Sequence, residues 1–242
     1  MSLPFTYHIY PLGDSALTID FGNKIDEELN KVVLALFQSL GKQQFPEIIE
    51  IIPAYSSLSV FYDVPALRQI IPGKITVFEW MKMKLEELLI KTAPPEPETS
   101  RQINIPVCYD KEFGTDLGFI SHLKNISIDE IIQLHTRIQY RVFMLGFLPG
   151  FPYMGTIDIK IAVPRKDKPE QVISGGVGIA GRQTGIYPMS SPGGWQIIGR
   201  TALRLFDPNK EEVTLLKPGD LVTFYSISKE AYQEQLHESE NY

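Results

Sequence analysis

Cysteine is almost missing from this chain: Cys108 is the single one in 242 residues. No internal disulfide can form, and the composition points to a reducing cytosol. Histidine is scarce as well. His8, His122, His135 and His237 are scattered, and none falls in an H-E-x-x-H or Cys/His spacing, so no metal is expected in this chain. Each histidine is read as a surface or packing residue. No apolar run approaches the roughly 18 residues of a membrane span. The amino terminus, MSLPFTYHIY, has neither a positive n-region nor an apolar h-region. A cytoplasmic chain with no membrane partner is therefore expected. Basic residues do not cluster, and the formal net charge is -6, which argues against nucleic acid.

Nucleotide cradles and nucleophile elbows are missing too. There is no G-x-x-x-x-G-K-[ST] and no G-x-S-x-G. Gly176 to Gly181 matches G-x-G-x-x-G by letter, but a dinucleotide site needs a helix next. Here RQTGIYPMSSPGG follows, whose glycines and prolines forbid one, so the dinucleotide reading is rejected. Ser174, Ser190 and Ser191 are read as turn formers rather than nucleophiles, and Cys108 as an inert core thiol.

What is present is an ordinary globular balance, 43% hydrophobic and 21% charged, at a length for one large domain or two modest ones. Residues 5–21 read as two strands about a Pro11–Asp14 turn. Asp26 can cap a helix with Leu29, Val32, Val33, Leu36, Phe37 and Leu40 on one face, stopping near Gly41. Residues 47–52 and 58–62 read as strands. Thr76 to Glu79 has the form of a capping box, opening a helix with Met81, Leu85, Leu88 and Leu89 inward. Met81 and Met83 are read as packing. The pattern is ββαββα, an α+β domain over 1–91.

TAPPEPETS, within 92–100, reads as a stiff, solvated linker. The second domain, 101–242, opens with a strand at 102–107, and helices near 115–123 and 127–135 follow. Residues 140–147 read as a central strand. Segments 203–206, 213–216 and 221–226 read as strands, and the tail from Lys229 as a short helix. Short strands and frequent turns imply a mainly β domain, a closed barrel.

The densest signal runs from Tyr140 to Thr201. Eleven of the eighteen glycines lie between Gly146 and Gly199, where backbones or ligands can approach closely. They alternate with prolines, aromatics and arginines, the ingredients of a rigid groove. The expected substrate-binding set is Arg141, Phe147, Pro149, Gln183, Thr184, Tyr187, Ser191, Trp195 and Arg200. Arg141 lies on an otherwise apolar strand and must be paired. Its partner is either an internal carboxylate, such as Asp158 or Asp207, or the carboxylate of a ligand. No catalytic nucleophile or base is assigned.

LGFLPGFPYMG, VGIAGRQTGIYPMSSPGGWQIIGRT and the closing FDP…LKPGD resemble the allophanate-hydrolase-subunit-1 family, as do PLGDSAL and PAYSSLSVFYD near the amino terminus. The resemblance covers nearly the whole chain. It implies a small α+β N-terminal domain followed by a cyclophilin-like β-barrel. It implies partners: a homologous allophanate-hydrolase-subunit-2-type subunit and a lactam-utilisation-type subunit. Together these would form an ATP-dependent 5-oxoprolinase converting 5-oxo-L-proline to L-glutamate, with ATP bound by a partner or at the interface and the isolated chain inactive. Two other roles occur in the family: a Kip-type inhibitor of sensor histidine kinase autophosphorylation, and a carboxyltransferase or allophanate-hydrolase-like subunit of urea metabolism. The barrel by itself also suggests a prolyl isomerase, by fold analogy only. The chain departs from the family at Pro169-Glu170, where Pro-Arg is usual, and at Gly176, where a hydroxyl is missing.

Overall fold

A computed structural model describes residues 5–42, 45–91 and 100–240. Nearly all of the proline-rich stretch 92–100 lies outside the described residues. The chain divides into two compact units, Met1–Thr99 and Ser100–Tyr242.

In the first unit, β1 (His8–Pro11), β2 (Ala16–Asp20), β3 (Ile48–Pro53) and β4 (Ser57–Tyr62) form one antiparallel sheet in the order β1-β2-β4-β3. Alternation along β4 turns Leu58, Val60 and Tyr62 inward. They meet Leu29, Val33, Leu36 and Leu40 of α1 (Glu27–Lys42) in one core. Full burial of each such side chain stabilises by about 1.5–3 kcal/mol. Helix α1 begins where expected because the Leu29 amide donates to Asp26 Oδ1 at 3.0 Å. Gly41 does not stop it; the helix runs on to Lys42.

Helix α2 (Val64–Ile70) was not legible in the sequence. Seven residues are too few for a periodic signal, and Pro65 reads as a breaker. In the structure Pro65 occupies the first turn, where its missing N–H costs nothing, and the Ala66 amide donates to Asp63 Oδ1 at 3.0 Å. Helix α3 (Val77–Lys91) opens with the expected capping box. The Glu79 amide donates to Thr76 Oγ1 at 3.1 Å and the Thr76 amide to Glu79 Oε2 at 2.8 Å. Met81 is buried, but Met83 is exposed.

The second unit contains β5 (Gln102–Cys108), α4 (Leu117–Lys124), α5 (Ile128–Thr136), β6 (Gln139–Leu145) and β7 (Pro152–Gly155). It continues with β8 (Glu170–Val172), β9 (Gly176–Ala180), β10 (Gln183–Ile186), β11 (Ser191–Gly193), β12 (Gln196–Arg200), β13 (Leu221–Ile227) and α6 (Lys229–Glu240). Seven strands close a barrel in the order β10-β7-β6-β13-β5-β12-β9, and β8 and β11 form a separate pair. The G-x-G-x-x-G segment is β9 followed by a turn at Gly181, at φ +57°, into β10. The expected strands at 203–206 and 213–216 shrink to one bridge between Phe206 and Thr214. Pro208 and the Asp207–Asn209 turn between them leave too little extended chain for a ladder.

Candidate functional site

Three local environments take six of the nine expected residues. The first is an aromatic cluster on the β9–β12 side of the barrel. Phe151 packs edge-on against Tyr187 and Trp195, with ring centroids 5.1 and 5.3 Å apart. Tyr187 is 1% exposed and Trp195 4%. The Trp195 backbone amide donates to the Tyr187 hydroxyl, which burial holds above its ordinary pKa. Gly193 exists for this ring: a Cβ there would lie 2.3 Å from the Tyr187 hydroxyl oxygen. Tyr187, a member of the expected substrate-binding set, is a packed wall whose hydroxyl is already used. Phe147 caps the cluster edge-on to Phe151 and Tyr187, 63% exposed and at φ +67°, a conformation non-glycine residues rarely adopt. Pro149 is exposed on the same loop.

The second environment is the barrel interior, which takes Thr184. Its alternation with Gln183 along β10 turns the hydroxyl inward, where it is completely buried. Thr184 Oγ1 donates to the Gly178 carbonyl at 3.1 Å and lies 2.9 Å from His135 Nε2. The Tyr109 hydroxyl lies 2.8 Å from His135 Nδ1. Each hydroxyl has one proton, so the chain runs one way: Tyr109 O–H to Nδ1, Nε2–H to Thr184, Thr184 O–H to Gly178. Burial drives the His135 pKa down to about 3, so the ring stays neutral and fills this role. Thr184 is thus a core residue and not a groove residue. The histidine that it meets carried no sequence signal, because α5 and β10 come together only in the barrel.

Arg141 and Gln183 occupy one row across the barrel strands, since both are paired to Gly155 of β7. Arg141 is 7% exposed. Neither carboxylate named for it in the sequence is idle: Asp158 pairs with Arg137, and Asp207 with Arg204 at 3.1 Å.

The third environment is a cavity of 670 Å³ between the end of β12, residues 203–209 and α6. Arg200 lines it, together with Ser174, Ser190, Arg204, Phe206 and Tyr232. Arg200 Nε donates to the Ser174 carbonyl at 2.8 Å, and its guanidinium carbon stands 5.9 Å from the Tyr232 ring centroid. The Ser174 amide donates to Ser190 Oγ at 3.1 Å and the Ser174 hydroxyl to the Pro188 carbonyl at 2.9 Å. Gly150 lies against this region, because a Cβ there would meet Phe206 at 3.1 Å. Ser191, on β11, donates its hydroxyl to the Pro192 carbonyl at 3.4 Å. Of the expected set, Arg200 belongs to this cavity. Tyr232 and Arg204 were missed because the carboxy-terminal segments read as plain barrel closure and a polar tail. No group of His, Cys, Asp and Glu that could hold a metal occurs among the described residues, and no described helix is long and apolar enough to cross a membrane.

Comparison with known proteins matches residues 7–216 to the carboxyltransferase domain, subdomain C and D. The chain is 46% identical over 235 residues to a 5-oxoprolinase subunit of Bacillus subtilis, covering 96% of this chain and 98% of that one. It is 36% identical to the 5-oxoprolinase subunit of the same type from Escherichia coli O157:H7, covering 89% and 94%. Among solved structures, the Kluyveromyces lactis urea carboxylase superposes with a TM-score of 0.76 at 19% identity, over all of this chain and 24% of that one, a likeness of fold alone.

Proposed function

The chain belongs to the carboxyltransferase subdomain C and D family, and from that premise we propose that it is the corresponding subunit of a 5-oxoprolinase. One observation carries this reading: 46% identity to a 5-oxoprolinase subunit, over 96% of this chain and 98% of that one. The complex would open 5-oxo-L-proline to L-glutamate with hydrolysis of ATP. A lactam is a stable amide, so its oxygen must be activated, by phosphorylation, before water attacks the carbonyl carbon. With no phosphate-cradling motif in this chain, ATP would sit on a partner subunit or at the interface. The partners are the subunit-2-type and lactam-utilisation-type chains. This chain supplies binding and orientation. The exposed Phe147 ring at the rim of the aromatic cluster and the Arg200 cavity are the two surfaces suited to that work.

Reconstitution tests the proposal. This chain alone should show no 5-oxoproline turnover, and the complex should show ATP-dependent release of glutamate that disappears when this chain is left out. Full turnover by the partners without it, or turnover of urea in place of 5-oxoproline, would overturn the reading.

A further inference from the structure

We propose that the cavity between β12, residues 203–209 and α6 binds a small oxyanion, a carboxylate or a phosphate, with Arg200 as its anchoring cation. Its 670 Å³ falls within the roughly 300–1,000 Å³ of small-molecule sites. Arg200 is already oriented. Nε is engaged by the Ser174 carbonyl and the guanidinium stands over Tyr232, while the residue forms no ion pair among the described residues. A guanidinium fixed through Nε still offers its two Nη groups, a fork that matches two oxygens of a carboxylate or phosphate.

The competing negative charge on the wall is neutralised. Asp207 is taken up by Arg204 at 3.1 Å and by the Asn209 amide at 3.1 Å. Two hydroxyls complete the set. Ser190 Oγ accepts from the Ser174 amide, which leaves its own O–H to donate. Tyr232 is 2% exposed, lines the cavity, and its hydroxyl has no hydrogen-bond partner among the described residues. A buried hydroxyl without a partner is costly, and a bound polar ligand or water removes that cost.

The choice of the lactam as a probe rests on the subunit reading; the oxyanion site does not. Titration calorimetry of the full chain with 5-oxo-L-proline, L-glutamate, inorganic phosphate and ADP separates the carboxylate from the phosphate source. At least one of the four should bind saturably, with Kd at or below about 1 mM. Arg200→Gln should weaken it at least about tenfold, or roughly 1.4 kcal/mol, and Tyr232→Phe should weaken it measurably. Arg182→Gln, at an exposed position outside the cavity, should not. Absence of saturable binding for all four, or unchanged binding by Arg200→Gln, would overturn the inference. Should Arg200→Gln fail to fold, amide shifts of the wild-type chain decide. They must move at Ser174, Ser190 and Arg200, and movement confined to the aromatic cluster rejects the site. An active complex with a chain that binds none of these probes would sink this inference and leave the subunit reading standing. Phosphate binding by a chain whose complex ignores 5-oxoproline would do the opposite.

Discussion

Thr184 Oγ1 lies 2.9 Å from His135 Nε2, and both side chains are completely buried in the barrel. This contact joins α5 to β10 and continues to Tyr109 of the segment after β5 and to the Gly178 carbonyl of β9. Four parts of the second unit are therefore held by one directional chain of hydrogen bonds. Its members cannot be exchanged one at a time, since removing either partner strands the other without water.

Thr184→Val keeps the volume but leaves the His135 Nε2–H without an acceptor. The expected cost is about 1–3 kcal/mol, or a fall of roughly 2–4 °C in Tm per kcal/mol at this chain length. Thermal melts measure it. Reconstituted activity at low temperature should fall no more than the folded fraction does; a specific loss of activity in a fully folded variant would return Thr184 to a ligand site.

Acid should weaken the second unit through His135. Burial lowers its folded pKa to about 3, whereas an unfolded histidine titrates near ~6.5. Between those values the unfolded chain binds a proton that the folded chain refuses, so stability is complete above about pH 6.5 and is lost as pH falls toward about 3. The full span is on the order of 5 kcal/mol. Urea midpoints from pH 7 to pH 4 should decline. His135→Gln should be less stable at pH 7 but flatter in pH; an equally steep decline would assign the effect to other groups.

Gly193→Ala should be more damaging than Tyr187→Phe. The added Cβ would have to displace a ring buried against Phe151 and Trp195, and overpacking of this kind costs about 1–3 kcal/mol. Losing only the Tyr187 hydroxyl removes one hydrogen bond, about 0.5–1.5 kcal/mol. Denaturant unfolding of the two variants gives the order, and the reverse order would show that the cluster is loosely packed.

Phe147→Gly separates fold from function at the rim of the cluster. Glycine relieves the positive φ, worth about 1–3 kcal/mol for a side-chain-bearing residue, against lost edge contacts of about 0.5–1.5 kcal/mol each. Stability should stay within about 1–2 kcal/mol of the wild type. If Phe147 is a contact for substrate or for another subunit, complex assembly or turnover should drop at least about tenfold. Wild-type assembly and turnover would leave Phe147 as an exposed side chain with no role.

The sequence alone determined what depends on neighbours within a few residues. Asp26 and the Thr76–Glu79 box set two helix starts, because a side-chain oxygen three residues upstream is all that a first turn requires. Prolines and glycines after Gly181 ruled out a dinucleotide helix, since no tertiary contact restores a missing N–H. The family motifs were legible for the same reason, as strings of adjacent residues. Tertiary structure decided which side of each strand faced inward and which distant segments met. Thr184 and Gln183 are equally polar neighbours, yet the β10 pleat sends one into the barrel and leaves the other half-exposed. Tyr187 became a wall because Gly193, six residues on, leaves its ring room. Arg200, on β12, meets Tyr232 only because α6 returns to the strand that pairs with β5. Helical and strand periods are local properties of the chain, whereas a pocket is made by segments whose separation in sequence carries no information about their separation in space.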